Sequence, residues 1–179
     1  MSAETAEELV PAATHEAIMA AVERLSTLTT ARDARDLVNQ PTINDWLEAM
    51  EFDNPRFKAG EAPPTMAQVW TMYGLGGKRP DDDPLHAMMN VLTDLGFTGV
   101  LGTNSEQTYE RYLRVGEQVR VELALDSVVG PKSTAMGVGY FVTSKSTWFV
   151  GDEPVATMLF RVFKFIPRKN AAQAKADTA

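Results

Sequence analysis

Near Gly96 the hydrophobic period of this chain changes, and that change decides what the chain can fold into. On the N-terminal side apolar residues recur three and four positions apart, the spacing of one helix face; beyond Gly96 they alternate, the spacing of one sheet face. Ile43, Trp46, Leu47 and Met50 form the first helical stripe, behind Pro41 at an early helical position. Met66, Val69, Trp70 and Tyr73 form the second, and with Pro63-Pro64 in front and Gly74 behind they predict a helix over 63–74. The third runs through Leu85, Met88, Met89, Leu92 and Leu95, with Asp83 as N-cap, Pro84 at the first position and Gly96 closing it. Between the second and third, G-L-G-G-K-R-P-D-D-D reads as an inserted loop.

After Gly96, Val119, Val121, Leu123 and Leu125 alternate with Arg120, Glu122 and Ala124, and Gly130-Pro131 predicts a turn. Residues 133–149 are rich in Val, Tyr, Phe, Thr and Trp and predict a long strand, closed by a turn at Gly151-Asp152. Residues 154–166 are apolar on both faces in places, which predicts a covered strand inside a sheet. Helices followed by hairpin-linked strands indicate an α+β domain with an antiparallel sheet, and the 63–74 helix is apolar enough to be wrapped by it. The polar, small-residue ends predict frayed segments at 1–13 and 168–179, flanking a single domain over 14–167.

A chain of 179 residues with 44% hydrophobic residues can bury a proper core. Its net charge of −7 argues against nucleic acid or an anionic membrane as the main partner, because both require a basic field. With no cysteine there is neither disulfide nor thiolate, and with only His15 and His86 no metal site is expected. No long apolar run and no basic signal segment are visible, so the expected location is the cytoplasm.

Four stretches carry a resemblance. A-P-P-T-M-A-Q-V-W-T-M, G-T-N-S-E-Q-T-Y-E-R-Y-L-R-V-G-E-Q-V and the pair G-V-G-Y-F-V-T and L-F-R-V-F-K-F-I-P resemble the MaoC-like hydratases and dehydratases, in particular their N-terminal dehydratase domain type. Within that family the combination, spanning roughly residues 30–167, is similar to the MaoC-like subunit of actinobacterial heteromeric steroid side-chain enoyl-CoA hydratases. Members of that group often continue into a zinc-ribbon and OB domain. The resemblance implies a hot-dog fold, an antiparallel sheet wrapped around a central helix.

It also implies a chemistry. Hydrating a 2-enoyl thioester requires an activated water at the β-carbon and a hydrogen-bond donor where enolate charge collects on the thioester oxygen. The family does this with an Asp–His pair in a motif resembling G-D-x-N-P-x-H, and with backbone N–H groups at the start of the hot-dog helix. In E-F-D-N-P-R-F, aligning on Asn54-Pro55 puts Glu51 at the glycine, Phe52 at the aspartate and Phe57 at the histidine. Neither phenylalanine can move a proton. Asp53 lies one residue out of register and is not expected to substitute. A second match, D-D-D-P-L-H from Asp81 to His86, has the spacing but follows the predicted 63–74 helix instead of preceding it. Its plainer reading is a helix start, with Asp81 and Asp82 complementing the dipole.

Phe52, Phe57, Met66, Trp70 and Tyr73 are therefore expected to line an apolar substrate pocket. Lys132, Gly137, Gly139 and Tyr140 are the candidates for coenzyme A, the glycines leaving room for a pantetheine chain beside the backbone. Arg111 and Arg114 are expected to orient the turn before the next strand through carboxylate pairs. Coenzyme A enters as part of the substrate, and no separate cofactor or metal is expected. By this reading the chain is a non-catalytic, pocket-forming subunit whose Asp–His pair comes from a smaller hot-dog partner, in an α2β2 heterotetramer. The alternatives are a self-sufficient homodimeric hydratase or thioesterase using Asp81 and His86, and an acyl-CoA-binding scaffold without catalysis.

Overall fold

The computed structural model describes residues 10–74, 76–77 and 79–168. Helix α1 (Ala12–Leu25) buries Ile18, Ala21 and Leu25, a stripe of threes and fours. A short strand β1 (Thr29–Asp33) leads to α2 (Gln40–Ala49), which Asn39 caps by accepting from the Thr42 amide and which buries Ile43 and Leu47. Next come the single turn α3 (Pro55–Lys58), a 3-10 turn at Pro64–Met66 and the short α4 (Ala67–Trp70). Helix α5 (Pro84–Asp94) starts at the predicted cap, with Asp83 Oδ1 accepting from the His86 amide at 3.1 Å.

Four long strands follow: β2 (Gly99–Tyr109), β3 (Val119–Ser133), β4 (Gly137–Val150) and β5 (Glu153–Pro167). With β1 they make one antiparallel sheet in the order β1-β3-β4-β5-β2. Register aligns Val121, Trp148 and Ala156 across three strands, and then Leu123, Ser146 and Met158. These residues look toward the helical segments. At one end of this face they join Phe57, Met66 and Trp70 in a buried cluster; at the other, α1 and α5 pack Ile18, Met88 and Leu92 against Leu125, Tyr140 and Val142. This is the hot-dog arrangement, a sheet curved over a helical layer.

Four expectations are corrected. The helix predicted over 63–74 is a 3-10 turn followed by four α-helical residues, and the longer helices packed against the sheet are α1 and α5. Its continuation is blocked at Thr71, whose carbonyl accepts from Arg32 Nε at 3.1 Å and Nη2 at 2.8 Å instead of from the next helical turn. Gly130-Pro131 does not end a strand: β3 runs through it, with a register shift between Val129 and Lys132. The strand expected from Ser133 starts at Gly137. Finally, the N-terminal segment set at 1–13 overlaps ordered structure, since Val10 is buried and α1 begins at Ala12. Residues 1–9 and 169–179 lie outside the described residues.

Candidate functional site

After α2 the chain reverses through Glu51, whose φ of 50° lies in the left-handed region that glycine favours. The resemblance aligns the motif's glycine with this position, and glycine is the residue that adopts such a backbone at least cost. Asn54 then caps α3, its Oδ1 accepting from the Arg56 amide at 3.0 Å, and Pro55 takes the first helical position. This short path brings Phe52 and Phe57 together, ring centroids 5.9 Å apart. Phe57 is 5% exposed and also meets Tyr112 at 6.0 Å, whereas Phe52 is 48% exposed. Asp53 is turned outward, its Oδ1 2.7 Å from Lys58 Nζ.

Three of the five predicted pocket residues, Phe57, Met66 and Trp70, share one buried cluster, and Phe52 extends it to the surface through its ring contact with Phe57. Tyr73 is tied down by a residue the sequence reading did not single out. Arg32 donates to the Tyr73 hydroxyl and lies with its guanidinium carbon 4.0 Å from that ring's centre. A lone arginine in T-T-A-R-D gave no signal of this role. Nearby, Trp148 Nε1 donates to Thr71 Oγ1 at 2.9 Å.

The second predicted set is not brought together. Tyr140 faces the helices and is fully buried, its hydroxyl 2.8 Å from His15 Nδ1, and burial raises its pKa above the ordinary value. Lys132 is exposed and pairs in register with Gly139, on the opposite face. The two glycines have a reason other than the one inferred for them. A Cβ on Gly139 would sit 2.1 Å from the Lys164 carbonyl oxygen, and one on Gly137 2.0 Å from that of Ile166, so their space is taken by β5 itself.

His86 stands in the first turn of α5 with its Nε2 3.3 Å from Asn90 Nδ2. Because α5 packs on the sheet, Asp81 to Asp83 lead into that helix and Pro84 to His86 form its first turn, and the positional objection to this motif falls away. Geometry decides against it instead: no carboxylate hydrogen-bonds the His86 ring among the described residues, and buried Asp83 is committed to the cap. Several groups at the helix starts offer no free donor. Pro63, Pro64 and Pro84 carry no amide hydrogen, the Met66 amide donates to the Pro63 carbonyl and the His86 amide to Asp83.

Arg111 orients the turn through carboxylate pairs as expected, whereas Arg114 does so through its main-chain amide. Arg111 binds Glu117 at 3.0 Å and Glu153 at 2.9 Å, which raises its own pKa and lowers that of Glu153. The Arg114 amide donates to Glu117 Oε2 at 2.8 Å. Beside them, Arg56, Gly60, Glu61 and Arg114 line an open cavity of about 520 Å³ in which Glu61 pairs with both arginines.

The family described as FAS1-like, dehydratase domain region, matches residues 24–158. The chain belongs to that family. This FAS1-like chain is 49% identical over 157 residues to the 3-oxo-4,17-pregnadiene-20-carboxyl-CoA hydratase alpha subunit of Mycobacterium tuberculosis, over 82% of this chain and 50% of the relative. It is 33% identical over 158 residues to a probable enoyl-CoA hydratase alpha subunit of Thermomonospora curvata, over 80% of this chain and 50% of the relative. The chain thus spans about half the length of the curated relatives it matches. Among solved structures it resembles a chain of the ChsH1-ChsH2 complex from Mycobacterium tuberculosis, with TM-score 0.82, 46% identity, and coverage of 88% of this chain and 96% of that one. No helix among the described residues is long and apolar enough to cross a membrane.

Proposed function

We propose that this FAS1-like chain is the non-catalytic, pocket-forming subunit of a heteromeric 2-enoyl-CoA hydratase. Its substrate is a bulky steroid side-chain thioester, and a partner hot-dog subunit supplies the Asp–His pair. The observation that carries this reading is the motif turn itself. Glu51, aligned with the motif's glycine, has a left-handed backbone and Asn54-Pro55 opens a helical turn, yet Phe52 and Phe57 stand where the alignment expects the proton-moving residues. Two benzyl groups leave a wall of hydrocarbon suited to a polycyclic acyl group.

The partner adds the chemistry. Its base takes a proton from water, the hydroxyl joins the β-carbon, and the α-carbon is protonated as the enolate collapses. The chain's part is to bind, orient and exclude water from the acyl group. The relative from Mycobacterium tuberculosis bears a name that specifies a 3-oxo steroid acyl thioester, and it too is called an alpha subunit, which supports both the substrate class and the need for a second chain. Coenzyme A arrives as part of the substrate, and the expected setting is the cytoplasm.

Strand β2 is the surface proposed for the partner. Among the described residues it pairs only with β5 and has exposed residues from Val100 to Thr108, so its outer edge offers backbone groups and the side chains of Val100 and Leu101. Edge-to-edge pairing would continue the sheet into a second hot-dog domain, in an α2β2 assembly. Co-purification from the native host with mass identification tests this: a second, smaller hot-dog chain in equimolar amount is expected. Recovery of the chain as a homodimer that turns over an enoyl-CoA would contradict it.

A further inference from the structure

Glu61 and Arg114 stand opposite each other in an antiparallel bridge, flanked by the Val115 amide donating to the Gly60 carbonyl at 2.9 Å and the Ala62 amide to the Leu113 carbonyl at 2.8 Å. Residues opposed in this way send their side chains to the same side, and both line the open cavity of about 520 Å³ together with Arg56, Ala59, Gly60 and Val115. Arg56 reaches it from the single turn α3 and is already oriented. Its Nε donates to Glu61, and its guanidinium carbon lies 4.2 Å from the centre of the Tyr112 ring. Tyr112 packs in turn on buried Phe57, so the stack is anchored in the core.

Two guanidiniums share one carboxylate here. Glu61 Oε2 accepts from Arg56 Nε, while its Oε1 stays 3.9 Å from Arg114 Nη2, beyond hydrogen-bond reach. The Arg56 Nη groups and the Arg114 guanidinium have no hydrogen-bond acceptor among the described residues, and the two side chains are 57% and 71% exposed. The neighbouring carboxylates are engaged, Asp53 by Lys58 and both Glu117 and Glu153 by Arg111. Free cationic donors thus converge on one cavity of a chain whose net charge is −7.

A cation or a bare hydrocarbon gains nothing at such a lining. A second carboxylate would satisfy one fork, as Glu61 already does for Arg56. A phosphate group, with three acceptor oxygens and a charge of about −2, can bridge both guanidiniums while Glu61 stays in place. The volume falls within the range of small-molecule sites and far exceeds that of a bare ion, and half-exposed Val115 with Ala59 supplies an apolar wall. These features fit a phosphate ester with an organic body.

We propose that Arg56 and Arg114 hold the phosphate group of a small organic ester, with Glu61 as the internal competitor that limits its affinity. The phosphate belongs either to the coenzyme A arm of the substrate or to a separate phosphorylated ligand, and the test separates these sources.

Pyrophosphate is the probe, titrated by calorimetry into the full chain against chloride at matched ionic strength. Saturable binding is expected, weakened about tenfold by Arg114→Ala and by Arg56→Ala, strengthened several-fold by Glu61→Gln, and unchanged by Lys145→Ala, which removes an exposed cation of the sheet. Arg56→Lys keeps the charge and loses the planar fork, so it should weaken binding as well. Absence of saturable binding overturns the proposal. Equal losses from Lys145→Ala and Arg114→Ala also overturn it, because they would mean diffuse attraction to surface charge. Weaker association of Arg114→Ala with the partner, without pyrophosphate binding to either form, overturns it in favour of a partner carboxylate in the cavity. In the complex, Arg114→Ala with a raised KM for the enoyl-CoA at unchanged kcat assigns the phosphate to the substrate's own coenzyme A arm; an unchanged KM assigns it to a separate ligand. This last comparison alone rests on the hydratase reading. A complex that hydrates no enoyl-CoA refutes that reading, and the pyrophosphate titration still decides for or against the site.

Discussion

Phe52 and Phe57 sit 5.9 Å apart with their rings tilted by 37°, one half exposed and the other in the core. The pair stands at the two positions that the resemblance aligns with the family's aspartate and histidine. The unequal burial means that the two rings contribute differently to stability.

Phe57→Ala should destabilise the chain by about 3 kcal/mol, the range for deleting a buried phenylalanine, while Phe52→Ala should cost less than about 1 kcal/mol. Urea unfolding followed by tryptophan fluorescence reads both. Similar losses for the two would show that Phe52 is held as firmly as Phe57.

Glu51 pays for its left-handed backbone without the freedom of glycine. Glu51→Gly should therefore stabilise by about 0.5–1 kcal/mol, since relief of the left-handed strain outweighs the added freedom of the unfolded chain. A higher denaturant midpoint at unchanged slope is the expected result. A lower midpoint would mean that the Glu51 side chain contributes something the backbone conformation does not reveal.

These two residues also show how far the sequence could be read. The stripes of Ile43 and Leu47 and of Met88 and Leu92 gave α2 and α5 because burial and helical period coincide there. The stripe of Met66 and Trp70 is equally clear, yet a contact distant in sequence ends that helix: Arg32 takes the Thr71 carbonyl. No local pattern reports such a competition. Strand β1 has no apolar alternation and exists because Arg32 and its neighbours pair with Val121 and the residues beside it in β3. Helix α1 did carry a signal, Ile18, Ala21 and Leu25, that the reading of the chain passed over. For the proposed site, the departure of Glu51 to Phe57 from the resembled motif was legible from residue types alone. The meeting of Arg56 and Arg114 was not, because it depends on a bridge between Glu61 and Arg114 that joins segments distant in sequence.

Lys164 is 5% exposed, forms no ion pair among the described residues, and lies in register between Tyr140 and Val100. Burial lowers its pKa from 10.5, so the unfolded chain holds that proton more tightly than the folded one. Stability should consequently rise with pH in the alkaline window below 10.5, as the folded-state lysine sheds its proton first. Tyr140 acts in the opposite sense above about pH 10, because burial keeps its hydroxyl protonated in the folded state. Lys164→Met should raise stability at pH 7 by about 1 kcal/mol and flatten the rise below pH 10. Midpoints measured from pH 7 to 10 check both; an unchanged slope would show that Lys164 is not the group responsible.

Replacing Val100 and Leu101 together with lysine should weaken the complex at least about tenfold and shift the stability of the isolated chain by less than about 0.5 kcal/mol, since both side chains are exposed on an unpaired edge. Analytical ultracentrifugation of the mixed subunits measures the first, thermal unfolding the second. Undiminished association would move the partner to another surface.

The most direct measurement is the hydration rate of a steroid side-chain enoyl-CoA with this chain alone, with the partner alone and with the two combined. This chain alone should give background turnover, the lone partner little, and the pair full activity. Substantial turnover by this chain alone, lost on His86→Ala, would contradict it.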